Sequence, residues 1–390
     1  MATSSEHARR VARFQDLLRA SGIDGALVLH AVDLYYLAAT RQNGALYVPA
    51  SGEPVLLVRK SFARARAESS VANVRAFPPS RELATALGAR GRVGTTFDVV
   101  PAATLAWWRR QLPGAELVDV SRPLRELRSV KSDAEIAALR DGAARLCAVL
   151  SDVPGLLREG MREVDLSADI ECRLRKAGNL GSPRLRGFNS ELFLGLAVAG
   201  KSAAGPGYFD GPVVGAGLHP SYPQGASARP IRRGEPVLLD WTAVFGGYVV
   251  DMTRIAVIGE VDRDLSRAFD VALAIQAEVG RGLRPGATGE ALWERARAMA
   301  EEAGIGDRFM GPPGDQARFV GHGVGLELDE LPVLAPGSDA PLVAGQVVAV
   351  EPKFVFAGRG AIGIENTWLV TDGGGEKLTA ELGDAILRVA

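Results

Sequence analysis

The chain has 390 residues, with 45 lysines and arginines against 46 aspartates and glutamates, so its formal net charge is −1. This balance of mixed charges argues against nucleic acid or an anionic membrane as a partner, and no apolar run approaches membrane-spanning length. The two cysteines, Cys147 and Cys172, indicate neither a disulfide framework nor a catalytic thiol, and we expect both to be buried in helices.

The first third of the chain alternates strand-like and helical stretches. Residues 1–22 have the charged amphipathic pattern of a helix without the apolar core of a signal peptide, which favours a cytoplasmic protein. Strand-like runs follow in GALVLH, ALYVP, PVLLV and ELVDV. This pattern predicts an α/β domain with a mixed sheet. Because one domain typically has about 100–200 residues, we expect two domains, 1–130 and 131–390.

The second domain is predicted to begin with a helix. Ser132 and Glu135 have the spacing of a capping box, S-D-A-E, before the helical stretch AALRDGAARLCAVL. Further helices are expected near 163–176, 265–280 and 288–303, and strands are interleaved with them. The interleaving predicts an α+β domain.

A glycine-rich segment at 197–225 lacks the strand, G-x-G-x-x-G and helix context of a dinucleotide site, so nucleotide binding is not indicated. We interpret it as an irregular wall of an active site. Its aromatic residues, Tyr222 among them, are candidates to line a substrate pocket, with ordinary loop packing as the alternative. His219 in the same segment and Arg186 before it are further candidates for substrate contact.

The segment LLDWTAVFGGYVVD is predicted to form a hairpin that carries the first of two carboxylate pairs. Two apolar, β-prone runs flank Gly246 and Gly247, which are suited to a tight turn. The hairpin brings Asp240 near Asp251 across the two strands.

A second hairpin is predicted in VVAVEPKFVFAGRGAIGIENTWLV, with its turn at 357–360. It sets Glu351 roughly opposite Glu365. Between the two hairpins lies His322, in GHGVGLELDE, where glycines on both sides let the backbone bring the imidazole close to another element. We therefore predict that one histidine and four carboxylates converge.

Four carboxylates clustered in an apolar setting repel one another and resist ionisation unless cations lie among them, and two divalent ions balance their charge. One nitrogen and four carboxylates form a hard donor set that suits manganese, which we favour, cobalt or ferrous iron at least as well as zinc. Two ions about 3.5–4 Å apart lower the pKa of a bridging water and polarise the bond it attacks. The set indicates a hydrolase, although each residue taken singly is also compatible with an ordinary turn or loop position.

The order of these motifs resembles the pita-bread metallopeptidase family, which contains Xaa-Pro aminopeptidases, prolidases, methionine aminopeptidases and creatinase. The matching segments are GGYVVDMTR, GHGVG, VEP and GIEN, and DLYYLAAT and GEPVLLVRKS resemble the creatinase-type N-terminal domain. The resemblance covers most of the chain. It implies an α/β creatinase-type domain followed by an α+β pita-bread catalytic domain, in a homodimer whose N-terminal domain shapes access to the partner's site.

The same resemblance implies a role for each residue of the set. Asp240 would bind one metal ion, Asp251 and Glu365 would bridge both ions, and His322 and Glu351 would complete the other. A metal-bridged hydroxide would attack an amide carbonyl, and Glu351 would exchange a proton with it. All five positions are intact, which argues against non-catalytic relatives and against creatinase, which works without metal.

Two positions depart from the family pattern. The peptidases usually carry a histidine seven positions after the ligand histidine, where this chain has Asp329, and another upstream of the first aspartate, where Gln224 aligns. An ionised Asp329 accepts hydrogen bonds only and repels a developing oxyanion, unless it holds a cationic group or is protonated, whereas Gln224 keeps a neutral donor. His219 replaces a missing imidazole if its loop folds over the metals, and the alternative, which we favour, is an ordinary histidine of a surface loop. These exchanges predict a substrate other than a standard Xaa-Pro peptide.

Three functions follow from these observations. The leading hypothesis is a dinuclear metal-dependent hydrolase of small peptides. Its predicted catalytic residues are Glu351, Asp329 and Gln224. Its predicted substrate contacts are His219, Tyr222 and Arg186. The exchanges at Gln224 and Asp329 favour the alternative, a metal-dependent hydrolase or lyase of a small non-peptide metabolite. The third is a binding protein that keeps the fold without turnover, which would retain little metal after purification.

Overall fold

The structure is a computed structural model that describes residues 4–389. The chain divides into two compact units, one containing the described part of Met1–Arg128 together with Arg186–Ser190, the other Ser129–Leu185 and Glu191–Ala390. The predicted division into 1–130 and 131–390 did not anticipate that the short segment Arg186–Ser190 joins the first unit. Within the described residues, no helix combines the length and apolar character needed to cross a membrane.

The first unit contains a mixed sheet, as predicted. Its strands are β1 Gly25–Val28, β2 Gly44–Pro49, β3 Val55–Val58, β4 Asn73–Ala76, β5 Gly91–Thr95 and β6 Ala115–Asp119. They lie in the order β4-β3-β2-β1-β5-β6, where β1 pairs antiparallel with β2 and parallel with β5. The helices are α1 Ser4–Ala20, α2 Ala31–Ala38, α3 Phe62–Glu68, α4 Leu83–Leu87, α5 Ala102–Gln111 and α6 Ser121–Ser129, with a 3-10 turn at Ser80–Glu82.

The second unit begins with α7 Asp133–Ser151. The side chain of Ser132 accepts from the backbone N–H of Glu135, and the Glu135 side chain accepts from the backbone N–H of Ser132, so the predicted capping box is present. The remaining helices are α8 Val153–Leu156, α9 Glu163–Lys176, α10 Arg263–Gly282 and α11 Gly289–Glu302, with 3-10 turns at Gly200–Ala204 and Gly306–Arg308. Cys147 is buried in α7 as expected, but Cys172 is exposed because it lies on the outer side of α9.

The strands of the second unit form two sheets and a separate hairpin. They are β7 Gly195–Ala199, β8 Val237–Phe245, β9 Tyr248–Ile258, β10 Gly321–Gly323, β11 Glu330–Leu334, β12 Val347–Val350, β13 Lys353–Phe356, β14 Gly360–Gly363, β15 Asn366–Thr371, β16 Gly374–Lys377 and β17 Leu387–Val389. One sheet has the order β17-β9-β8-β7 and the other β11-β10-β12-β15-β16, while β13 pairs with β14.

Helices cover these strands and bury their apolar side chains. Helix α7 packs against β9, every residue of which is buried, and α10 packs against β14 and β16. The core includes Leu238, Ile255, Phe269, Val350 and Ile364. Any charged group on the inner strands is therefore desolvated, and needs a partner of opposite charge.

Candidate metal centre

The β8–β9 hairpin places the first two carboxylates on one face of its sheet. Gly246 and Gly247 form the turn with φ of 57° and 93°, values that favour glycine. Asp240 pairs with Thr253 and Asp251 with Thr242, so the two aspartates are diagonal neighbours on the same face. The hydroxyl of Thr242 lies 3.2 Å from Asp251 Oδ1 and donates to it.

The second carboxylate pair comes from two adjacent strands of the other sheet. Glu351 directly follows β12 and Glu365 directly precedes β15, and the pairing of Val350 with Asn366 sets the two glutamates opposite each other. The predicted hairpin exists as β13–β14, with Gly360 belonging to β14 and not to the turn. The glutamates lie outside that hairpin, because the β12–β15 pairing continues to its base.

His322 occupies the middle of β10 and completes the set. Added Cβ atoms at Gly321 and Gly323 would lie 2.4 Å from the carbonyl oxygens of Ala349 and Leu331, so only glycines permit this approach, as predicted. The imidazole Nδ1 lies 3.2 Å from the carbonyl oxygen of Leu328 and donates to it, so Nε2 is the ring nitrogen available to bind a metal ion.

Nε2 of His322 faces two carboxylates. It lies 3.8 Å from Asp251 Oδ2 and 3.6 Å from Glu351 Oε1. Ligand atoms of Asp251, His322 and Glu365 all lie within 4.8 Å of one another. One imidazole nitrogen and carboxylate oxygens that converge in this way fit a divalent ion with mixed nitrogen and oxygen ligands.

Burial makes this cluster electrostatically costly without a cation. Burial raises the pKa of Asp251 well above its ordinary value, and the carboxylates of Glu365, Asp240 and Glu351 raise it further. Burial also raises the pKa of Glu365. The repulsion among clustered carboxylates that was inferred from the sequence is therefore present in the folded chain.

Lys353, a residue that the sequence reasoning missed, also contacts the cluster. Its Nζ lies 2.9 Å from Asp240 Oδ2, 2.8 Å from Glu351 Oε2 and 3.0 Å from Glu365 Oε2. Burial lowers the pKa of this ammonium, but the three carboxylates outweigh burial and hold the pKa well above its usual range. The spacing to Glu351 was an available signal, because residues two apart on an extended chain share a face.

Gln224, His219 and Tyr222 lie together in a cavity of about 340 Å³. Gln224 is 2 % exposed; its Nε2 donates to the carbonyl oxygen of Glu191 at 3.2 Å, while its Oε1 is buried without a partner. Tyr222 is 39 % exposed. Among the described residues that line this cavity, the five predicted metal ligands are absent.

His219 has the surface position that was its alternative. The residue is exposed, and its Nδ1 lies 2.8 Å from the hydroxyl of Ser221 two positions later. This local turn ties the imidazole to its own loop.

Asp329 lies behind the imidazole of His322. Its side chain is 63 % exposed, and Oδ1 is 3.8 Å from His322 Nδ1, the nitrogen directed away from the carboxylate cluster. From this side, the charge of Asp329 favours the Nδ1–H tautomer and the orientation of the ring. The position of Asp329 therefore favours a role in orienting the ring of His322 over the predicted contact with substrate.

Arg186 does not have the environment of a substrate contact. Within the first unit, its Nε and Nη2 donate to the two oxygens of Asp98 at 2.7 and 3.0 Å, and its Nη1 donates to Asp33 at 3.1 Å. The side chain is buried. The predicted role is therefore corrected to a structural ion pair, since the guanidinium is directed at the carboxylates of Asp33 and Asp98 in its own unit.

Replacing Asp33 with alanine is expected to destabilise the first unit by roughly 3–5 kcal/mol, because Asp33 is a buried partner of both Arg128 and Arg186. Although burial opposes ionisation, Arg128, His30 and Arg186 hold the pKa of Asp33 far below its ordinary value. Its stabilising contribution is therefore present above about pH 4 and declines as the pH falls. Urea unfolding at pH 7 and pH 3 measures both effects. Asp16→Ala, at an exposed pair with Arg19, is the control; an equal loss in both variants would contradict the expectation.

Comparison with known proteins gives matches along the chain. The model of metallopeptidase family M24 matches residues 137–372, and that of the creatinase/prolidase N-terminal domain matches residues 10–130. The probable dipeptidase PepE of Mycobacterium tuberculosis is 29% identical over 387 residues, covering 94% of this chain and 93% of the relative. The Xaa-Pro dipeptidase of Pyrococcus furiosus is 24% identical over 380 residues, covering 96% and 97%.

Solved structures show the same likeness over the full length. The Xaa-Pro dipeptidase from Bacillus anthracis superposes with a TM-score of 0.83 at 25% identity, covering 98% of this chain and 100% of that one. The dipeptidase PepE from Mycobacterium ulcerans gives a TM-score of 0.81 at 27% identity, covering 100% and 99%. Both units described above therefore have counterparts in these proteins.

Proposed function

The chain belongs to metallopeptidase family M24, whose model matches more than half of it, and from this membership we propose that it hydrolyses the amide bond of a dipeptide-sized substrate with the help of a divalent metal ion. A creatinase-type N-terminal domain and a pita-bread catalytic domain make up the chain. The observation that carries the proposal is the convergence of ligand atoms from Asp251, His322 and Glu365 within 4.8 Å.

These three residues would hold the ion, and Asp240 and Glu351 lie beside them. When bound, a divalent ion lowers the pKa of water and polarises a carbonyl group. Glu351 directs Oε1 toward His322 Nε2 at 3.6 Å, next to the ligand set, and there it would accept a proton from the attacking water and return it to the leaving amine. Lys353 fixes this carboxylate by donating to Oε2.

The substrate is proposed from the relatives and from the buried glutamine. The relatives named above are a probable dipeptidase and an Xaa-Pro dipeptidase, which supports a substrate of two residues. Gln224 and Asp329 stand where the peptidases usually carry histidines, and this exchange favours a substrate other than an Xaa-Pro peptide. Dipeptides without proline are therefore preferred in this proposal. The same exchange supports the second candidate, a small non-peptide amide.

Other features of the proposal rest on the sequence alone. Manganese is proposed as the native metal, with cobalt, ferrous iron and zinc as the other options. Two ions per chain, residues 131–390 as the catalytic domain, a homodimer and a cytoplasmic location stay predictions from the resemblance and from the residue pattern. The ammonium of Lys353 contacts Asp240 and would therefore compete with one of the two expected ions for this carboxylate.

The proposal is tested with the purified chain loaded separately with manganese, cobalt, ferrous iron and zinc. Substrates are Xaa-Pro dipeptides, dipeptides without proline and small amides, and release of the free amine is measured. We expect hydrolysis of dipeptides without proline, weaker hydrolysis of Xaa-Pro dipeptides, and loss of both on chelation. Failure to cleave any of these substrates with any of the four metals would overturn the proposal, and cleavage of the small amides alone would favour the second candidate.

A further inference from the structure

Two cation positions lie side by side in the carboxylate cluster, and the chain fills one of them itself. Glu351 directs Oε2 at the ammonium of Lys353, 2.8 Å away, and Oε1 at the region of His322 Nε2. Asp240 and Glu365 contribute further oxygens to the ammonium, at 2.9 and 3.0 Å. The carboxylates are thus divided between a lysine on one side and a histidine on the other.

The ammonium of Lys353 is buried within the fold. Lys353 is the first residue of β13, a strand in which every residue is buried, and its side chain is 1 % exposed. Moving Nζ out of the cluster would leave a charge buried elsewhere without its three partners, which is strongly unfavourable. A metal ion bound by Asp240, Glu351 and Glu365 would occupy the same space and be repelled by the same charge.

We propose that Lys353 is a built-in cation that takes the place of one of the two metal ions expected in this fold, so that the chain binds a single divalent ion at Asp251, His322 and Glu365. The location of that remaining ion rests on the proposed function, whereas the contacts of Lys353 do not. A donor of three hydrogen bonds can neutralise and orient carboxylates, but it offers no open coordination position to water or substrate. Polarisation of the substrate would then fall to one ion.

The proposal is tested by metal stoichiometry. Metal-free wild type, Lys353→Gly and Lys377→Met are titrated calorimetrically with MnCl₂, and bound manganese is counted by elemental analysis after dialysis. We expect one ion per chain for wild type and for Lys377→Met, which removes a lysine that is paired with Asp384 and with no carboxylate of the cluster, and two ions for Lys353→Gly. Wild type that binds two ions with comparable affinity, or a glycine variant that binds no more than wild type, overturns the proposal.

The difference between the variant and wild type tests the role of Lys353, while the presence of any ion in wild type tests the proposed function, so the two failures are distinguishable. Lys353→Met, which keeps the length of the side chain without its charge, covers the case in which the glycine variant does not fold. In EDTA its Tm is expected to fall on the order of 10 °C below that of wild type, and manganese should restore more of the loss than it adds to wild type. Equal Tm values in EDTA and equal responses to manganese overturn the proposal.

Discussion

Replacing His322 with alanine is expected to weaken manganese binding by at least about 100-fold and to reduce hydrolysis in parallel. Nε2 of this residue is the neutral nitrogen donor of the set, and it faces Asp251 and Glu351 at 3.8 and 3.6 Å. Without it, the ion would retain carboxylate ligands only. Calorimetric titration of the metal-free variant with MnCl₂ measures the affinity, and circular dichroism confirms that the variant is folded.

His219→Ala is the matched control for this experiment. The exposed imidazole of His219 is held by Ser221 in its own loop, so its removal should leave manganese affinity unchanged. A folded His322→Ala variant with the affinity of wild type would show that the ion is bound elsewhere. Loss of manganese affinity in the His219 variant would instead indicate that the loop containing His219 contributes to the metal site.

Replacing Glu351 with glutamine is expected to lower kcat by roughly 10²–10⁴-fold on the best dipeptide of the panel, with a smaller change in KM. Glutamine has nearly the same shape but cannot accept a proton, so it removes the proposed transfer between water and the leaving amine. It also removes one charge that partners Lys353. Steady-state kinetics and the bound manganese are therefore measured on the same sample, which separates a lost proton acceptor from a lost ligand.

Glu376→Gln makes the same exchange at a partly exposed glutamate that pairs with Arg140. Its kcat and metal content should match those of wild type. If Glu351→Gln keeps its metal and retains kcat within a few-fold of wild type, Glu351 is not the proton acceptor.

The sequence predicted those parts of the fold that depend on interactions between residues close together in the chain. The Gly246–Gly247 turn fixes the β8–β9 register, and this register places Asp240 and Asp251 on one face without help from the rest of the chain. The capping box of Ser132 and Glu135 likewise marks the start of α7. In contrast, β4 and β5 were not predicted, because NVRA and GRVGT have few β-branched or aromatic residues and owe their conformation to parallel pairing with neighbouring strands.

The candidate site could be predicted at positions where the residue type is unusual for its surroundings. It could not be predicted where an ion-pair partner lies far away in the sequence. Acidic residues in apolar strands demanded a common explanation, which metal binding supplied. Lys353 looks like an ordinary strand-end lysine until tertiary structure brings Asp240 to its Nζ from 113 positions away. Arg186 was misassigned for the same reason, since Asp33 and Asp98 are 153 and 88 positions distant. Long-range ion pairs of this kind leave little trace in local sequence.

Crystals of the manganese-loaded chain, measured at the manganese absorption edge, would show how many ions the chain binds and which residues surround them. We predict one anomalous peak per chain, bounded by Asp251, His322 and Glu365, with Lys353 Nζ still within hydrogen-bond distance of Asp240. Two peaks with Lys353 displaced, or no peak beside His322, would contradict this account of the metal centre.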